Sequence, residues 1–273
     1  MIELVAYHIK RKRRKPQGVE DVRFPLAYKS LHMSIKKYLG LDIPCQAVCA
    51  GHNAPFDVFY DSFTEKTLNC IVIANRGGGK TLNSAALEFV EASEKGLEEC
   101  HLGAIMAQAK RAYKYIYSWA YKYREKMGIN KITIGETLFK NGGSIEIIPG
   151  TMNGVNSPHP HKATIDEFEL LPWEIFEEAG SMPRSGTNGR AALRLYTTRK
   201  KASGNAQLMI SEAETRGFRL YKWCIFEVMT PCLSSLPCKK CPYKKHVTFN
   251  NEGDKVTWPS VCQGKAKKSR GYI

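Results

Sequence analysis

The sequence predicts an α/β fold in which a mostly parallel central sheet is flanked by helices. Three observations carry that expectation. From about Cys45 to Glu214, short apolar runs alternate with amphipathic stretches, as strands covered by helices do. One run, Ile71 to Ala74, passes directly into a glycine-rich loop and then a helical pattern. Another, Lys162 to Ile165, ends in two adjacent carboxylates, Asp166 and Glu167.

Taken in order, residues 1–44 form a basic extension. Its run Lys10 to Lys15, followed by Pro16 and Gly18, reads as a loop that is either a solvated tail or a phosphate-contacting arm. Residues 45–214 hold the sheet. Strands are expected at Cys70–Ala74, Gly103–Ala107, Ser144–Ile148, Ala163–Ile165, Ala192–Tyr196 and Ala206–Ile210. A helix is expected over Ala109–Lys126, with Tyr113, Ile116, Tyr117, Ala120 and Tyr121 as a core stripe rather than an aromatic platform for nucleic acid. Residues 215–273 read as a linker or lid followed by a small cysteine-bearing module.

Composition narrows the function classes. With 43% hydrophobic and 25% charged residues in 273, the chain is neither disordered nor collagen-like. Its 41 basic against 26 acidic side chains leave +15, which favours a polyanionic partner, nucleic acid first. No run reaches the roughly 18 apolar residues of a membrane span and no signal peptide opens the chain, so a cytoplasmic, non-secreted protein is expected. Nine cysteines in a reducing compartment point to buried, inert or metal-bound thiols rather than disulfides.

The loop Ala74-Asn75-Arg76-Gly77-Gly78-Gly79-Lys80-Thr81 has the chemistry of a phosphate cradle. Glycines let successive N–H groups face one point, and the helix that follows aims its positive end there. Lys80 would reach the β and γ phosphates of ATP, and the Thr81 hydroxyl would take a place on Mg²⁺. The usual pattern begins with glycine where this chain has Ala74. Arg76, inside the loop, is read either as a sensor of γ-phosphate charge or as an outward salt bridge.

Successive side chains at a strand end diverge, so Asp166 can hold Mg²⁺ while Glu167 orients and deprotonates the attacking water. These two segments form the Walker A and Walker B pattern of an additional-strand, RecA-like P-loop NTPase. His159 and His161 lie in a Pro-containing loop and are not read as metal ligands. The run Leu193 to Arg199 brings Thr197 and Thr198 to another strand end, either near the γ phosphate or as a plain cap. Phe56, Phe59 and Tyr60 are read as packing in preference to adenine stacking.

These residues resemble the ATPase half of phage large terminase subunits, over roughly Asn53 to Val228. The resemblance rests on the Ala74–Thr81 loop with its internal arginine, on His159-Pro160 followed by Thr164-Ile165-Asp166-Glu167, and on Tyr196-Thr197-Thr198-Arg199. It implies an ATP-hydrolysing motor that drives double-stranded DNA into a procapsid, with Glu167 activating water and Thr197 or Thr198 coupling hydrolysis to movement. It also implies a homo-oligomeric ring, a small terminase subunit and a portal as partners, no membrane, and an arginine donated in trans. Arg184, Arg190, Arg194 and Arg199 are the candidates for that arginine. The family's nuclease domain is not expected here, because the segment after Glu214 holds few acids; either the chain is a truncated or split gene product, with truncation favoured, or the nuclease lies on another chain. A helicase-like remodelling ATPase and a noncatalytic zinc-containing nucleic-acid binder are the rival readings.

Cys232, Cys238, Cys241 and Cys262, spaced C-x5-C-x2-C-x20-C, are expected to bind structural zinc. A short basic segment with few apolar residues would gain its stability from the metal. Unligated thiols, or a site that recruits Cys224 or His246, are the alternatives.

Overall fold

The computed structural model describes residues 23–47, 49–198 and 203–228, together with the backbone of 248–249 and 255–257. The chain opens with helices α1 (Tyr28–Leu39) and α2 (Pro55–Phe63). Then come β1 (Cys70–Ala74), α3 (Lys80–Lys95), β2 (Glu98–Gly103) and α4 (Met106–Lys122). Three strands, β3 (Ile129–Ile132), β4 (Glu136–Phe139) and β5 (Ser144–Pro149), lead to α5 (Met152–Val155). They are followed by β6 (Lys162–Asp166), α6 (Trp173–Gly180), β7 (Ala192–Thr197), α7 (Asn205–Ser211), β8 (Arg219–Trp223) and α8 (Ile225–Val228). A separate antiparallel pair joins β9 (Thr248–Phe249) and β10 (Lys255–Thr257).

The eight strands β1 to β8 form one sheet in the order β3-β4-β5-β2-β6-β7-β1-β8. In the spatial order β5 to β8 its pairings are all parallel, and at the other edge the β3–β4 and β4–β5 pairings are antiparallel, so β4 alone runs against the rest. Strand β7 lies between β1 and β6. The central strands β6 and β7 are buried along their whole length, which is why they read as continuous runs and not as alternation. Helices α1 to α4 cover one face through Leu31, Ile35, Phe56, Phe89 and Ile116. Phe168, Phe176 and Met209 cover the other, against Ile165 and Leu195.

Several expectations are corrected. The run Ala206–Ile210 is helical: it forms most of α7, where Ala206 and Met209 are buried three residues apart while Leu208 is exposed. A short apolar run cannot be assigned by periodicity alone. The strand placed at Gly103–Ala107 lies upstream, ending at Gly103, and Met106 already begins α4. Within α4, Tyr113, Ile116 and Ala120 are core, but Tyr117 and Tyr121 are exposed and stack on each other with ring centroids 6.4 Å apart. The sheet continues past residue 214 into β8, and α1, before residue 45, packs into the core. Phe56 and Phe59 are fully buried against each other and Tyr28, as packing residues are. Cys232, Cys238, Cys241 and Cys262, with His246, lie outside the described residues.

The core also encloses charges. Arg194 on β7 donates to Glu91 of α3 at 2.6 Å and to Glu99 of β2 at 3.4 Å, all three buried. Lys162, at the start of β6 and fully buried, donates to Glu65 at 2.9 Å, and Arg190 bonds the other oxygen. Burial alone would raise the Glu65 carboxyl, but Lys162 and Arg190 outweigh it and hold it at about 2. Stability from this group is therefore complete above its ordinary value of 4.5 and is lost as pH falls toward about 2. Glu65→Gln strands the buried ammonium of Lys162, so unfolding free energy should fall by about 3 kcal/mol at neutral pH. Denaturant melts across pH 2 to 7 check this, and a variant as stable as the parent at pH 7 would contradict it.

Candidate active site

The site forms at the C-terminal ends of β1, β7 and β6, where open parallel sheets gather their loops. Strand β1 ends at Ala74, and the turn to α3 is made by glycines with left-handed backbones, Gly77 at φ 78° and Gly79 at φ 76°. Gly78 between them is pressed from two sides. A Cβ there would lie 2.7 Å from Asn75 Oδ1 and 3.2 Å from Trp223 Nε1. Ala74 needs no such freedom because it is the last residue of a strand and its φ is not positive. This is why alanine stands where the usual loop pattern begins with glycine.

Lys80, the first residue of α3 and 6% exposed, lies across the loop. It donates to Thr198 Oγ1 at 2.6 Å and to the carbonyls of Ala74 and Asn75 at 3.4 and 3.5 Å, and lies 3.7 Å from Glu167 Oε1. Thr81 donates to Asp166 Oδ2 at 2.6 Å, joining two residues 85 positions apart. The two acids diverge as anticipated, but strand geometry is only part of the cause. Glu167 has a left-handed backbone, φ 54° and ψ 47°, which turns its carboxylate toward Lys80 and Thr198 while Asp166 stays buried against Thr81. A non-glycine residue in that region is strained, and such strain collects at functional sites.

Of the two threonines, Thr198 faces Lys80 and lies 3.4 Å from Glu167 Oε1. Thr197 is fully buried and donates to Glu169 at 2.6 Å. Arg76 is exposed on the rim. With Thr81, Gln108, Arg111, Asp166, Glu167 and Thr198 it lines a cleft of about 260 Å³. Gln108 and Arg111 were not anticipated. They lie three residues apart on α4, one helical step, but the local sequence around them was divided between a strand and a later helix start. Trp223 was also missed: its indole N–H donates to the Gly78 carbonyl at 2.8 Å and ties β8 to the loop.

Behind Asp166 lies a buried pair, His101 and Glu88, 2.8 Å apart. Burial would lower the His101 imidazole, but Glu88 outweighs it and raises it. The Asp166 carboxyl is pushed up by burial, with His101, Thr81 and Lys80 opposing. Asp166 Oδ1 is buried and has no hydrogen-bond partner among the described residues. A carboxylate oxygen left without a donor beside a threonine hydroxyl fits a divalent cation such as Mg²⁺.

Arg194 is removed from the candidates for an arginine donated in trans, because it is 1% exposed and held by Glu91 and Glu99. Arg190 is exposed but engaged with Glu65, Arg184 is exposed, and Arg199 lies outside the described residues. No helix among the described residues is long and apolar enough to cross a membrane.

No protein-family model matches the chain, and no curated protein sequence matches it. Solved structures do. The large terminase of bacteriophage HK97 aligns with a TM-score of 0.53 at 10% identity, over 75% of this chain and 45% of that one. The large terminase of a thermophilic bacteriophage aligns with a TM-score of 0.50 at 9% identity, over 75% of this chain and 52% of that one. The alignments thus span about half the length of those proteins. At these identities the likeness is one of architecture, and the described chain shares its fold with the large terminases of phage HK97 and of the thermophilic phage.

Proposed function

We propose that this chain is the ATP-hydrolysing motor portion of a DNA-packaging terminase. The observation that carries the reading is the 2.6 Å hydrogen bond between Thr81 and Asp166. It sets a hydroxyl and a carboxylate of the kind that hold Mg²⁺ at the mouth of a glycine loop, with Glu167 and Lys80 alongside. In this reading the loop N–H groups other than that of Gly78, which donates to the Asn75 carbonyl at 3.0 Å, and the Lys80 ammonium bind the β and γ phosphates. Thr81 and Asp166 hold Mg²⁺, which when bound neutralises charge on the transferring phosphoryl group. Glu167 positions a water and accepts its proton, and Thr198, shared between Lys80 and Glu167, registers loss of the γ phosphate. Arg76 and Arg111 add positive charge at the rim.

Double-stranded DNA is the proposed track, a homo-oligomeric ring the proposed assembly, and a small terminase subunit and a portal the proposed partners. The fold shared with the two phage large terminases and the net charge of +15 support this. Titration of the purified chain with labelled ATP in the presence of Mg²⁺ tests the core of the reading. Saturable binding that disappears on chelation is expected, and no saturable signal would end it. Arg111→Ala should slow hydrolysis by about tenfold, a loss of about 1.4 kcal/mol of transition-state stabilisation; steady-state turnover measures it, and an unchanged rate removes Arg111 from the site. DNA affinity should fall linearly in log-log form with salt and show little base preference.

A further inference from the structure

On the far side of the phosphate loop, two segments have the same spacing between metal-ligating side chains: Cys49-x2-His52 and Cys224-x2-Glu227. Their cysteines are 175 positions apart. The fold joins them because the chain before α2 runs beside the end of β8. The Asn53 N–H donates to the Lys222 carbonyl at 2.8 Å, and the Lys222 N–H donates to Asn53 Oδ1 at 3.1 Å. This brings Cys49 Sγ to 3.7 Å from Cys224 Sγ. Glu227, with a fully buried side chain, accepts the N–H of Cys49 at 2.8 Å and of Cys224 at 2.7 Å, and lies 3.1 Å from His52 Nδ1. One ligand atom from each of the four residues lies within 4.8 Å of all the others.

We propose that Cys49, His52, Cys224 and Glu227 form a zinc site that staples the segment following β8 to the loop preceding α2. The sulfur separation excludes a disulfide and is compatible with two sulfurs on one metal, although two thiols sharing a hydrogen bond lie equally close. A disulfide requires about 2.05 Å. Two thiolates on one tetrahedral zinc, each at about 2.3 Å, lie about 3.8 Å apart, which matches the 3.7 Å seen. A donor set of two sulfurs, one imidazole and one carboxylate suits zinc and not the hard cations magnesium and calcium. All donor atoms lie within 4.8 Å of one another, so reaching the roughly 3.3 to 3.8 Å separations of a tetrahedral zinc takes shifts of about 1 to 1.5 Å at most. Two thiolates and a carboxylate exceed the charge of one zinc ion, and the Lys222 ammonium lies next to this loop, 3.8 Å from where a Cβ on Gly51 would stand.

The staple is placed to matter. Trp223, which braces the Gly78 carbonyl, immediately precedes Cys224, so the metal would fix the strand end that supports the phosphate loop. None of the four proposed ligands belongs to the glycine loop or to the set Cys232, Cys238, Cys241 and Cys262, and the proposal does not rest on the nucleotide reading.

The experiment is zinc competition titration and elemental analysis of the full chain, compared with Cys49→Ser, Cys224→Ser and the double variant Cys238→Ser/Cys241→Ser. Changes outside the ligand sphere already cost about 10- to 100-fold in affinity, so loss of a direct ligand should weaken zinc by at least about a hundredfold in the first two. The double variant should keep this zinc. Unchanged affinity in both single variants, zinc that follows only Cys238 and Cys241, or no zinc in the parent chain overturns the site. Two readouts separate ligand loss from unfolding. His52→Asn, at a side chain 22% exposed, should weaken zinc with native circular dichroism. The double variant loaded with Co²⁺ should show thiolate-to-cobalt charge-transfer absorption, and its absence there overturns the proposal.

Discussion

Glu167→Gln is expected to bind ATP as the parent does and to hydrolyse it at least about a hundredfold more slowly, the usual loss when a positioned base is removed. The amide preserves the shape of the side chain and its reach toward Thr198, 3.4 Å away, so the cleft keeps its form. What disappears is the charge that lies 3.7 Å from Lys80 and, in the proposed mechanism, takes the proton of the attacking water. Equilibrium binding of a nonhydrolysable nucleotide and single-turnover hydrolysis separate the two effects. Turnover close to that of the parent would take the base assignment away from Glu167. Asp166→Asn should behave differently, since Asp166 is proposed to hold Mg²⁺ beside Thr81 and its loss should raise the Mg²⁺ concentration required for binding.

Lys80→Ala is expected to weaken nucleotide binding until saturation is no longer reached. Truncating one member of a buried charged pair costs about 2–5 kcal/mol, a factor of about thirty to a few thousand in affinity. Lys80 is 6% exposed, and its ammonium is already directed at the loop by the carbonyls of Ala74 and Asn75 and by Thr198. Little ordering remains to be done when a phosphate arrives, so most of the attraction is realised as affinity. Isothermal titration with ATP and Mg²⁺, paired with a thermal melt to show that the variant is folded, measures the effect. Affinity equal to the parent would mean that this loop is only a tight turn.

The strand, loop and helix around Gly77 to Gly79 were legible because every requirement is local. An apolar β-branched run, backbone positions with positive φ and a following helical pattern occupy adjacent residues. The acids were legible for a related reason: β6 is buried on both faces, so two adjacent acidic side chains at its end stand out. What resisted reading were short apolar runs and side chains whose role depends on a distant neighbour. Ala206–Ile210 is apolar enough for a strand, and only its packing of Ala206 and Met209 against the sheet makes it a helix. Arg194 read as an available cation, yet Glu91 and Glu99, from two other elements, enclose it.

The sequence by itself determined the geometry of the glycine loop, the direction of the chain through β1 and α3, and the presence of two carboxylates at a strand end. Tertiary structure alone decided that β7 stands between β1 and β6, that Thr81 meets Asp166, that Gln108, Arg111 and Trp223 converge on the loop, and that Cys49 and His52 meet Cys224 and Glu227. The physical reason is that backbone conformation is set by neighbouring residues, whereas the order of strands is set by pairing and burial between segments far apart in sequence, which no local pattern records.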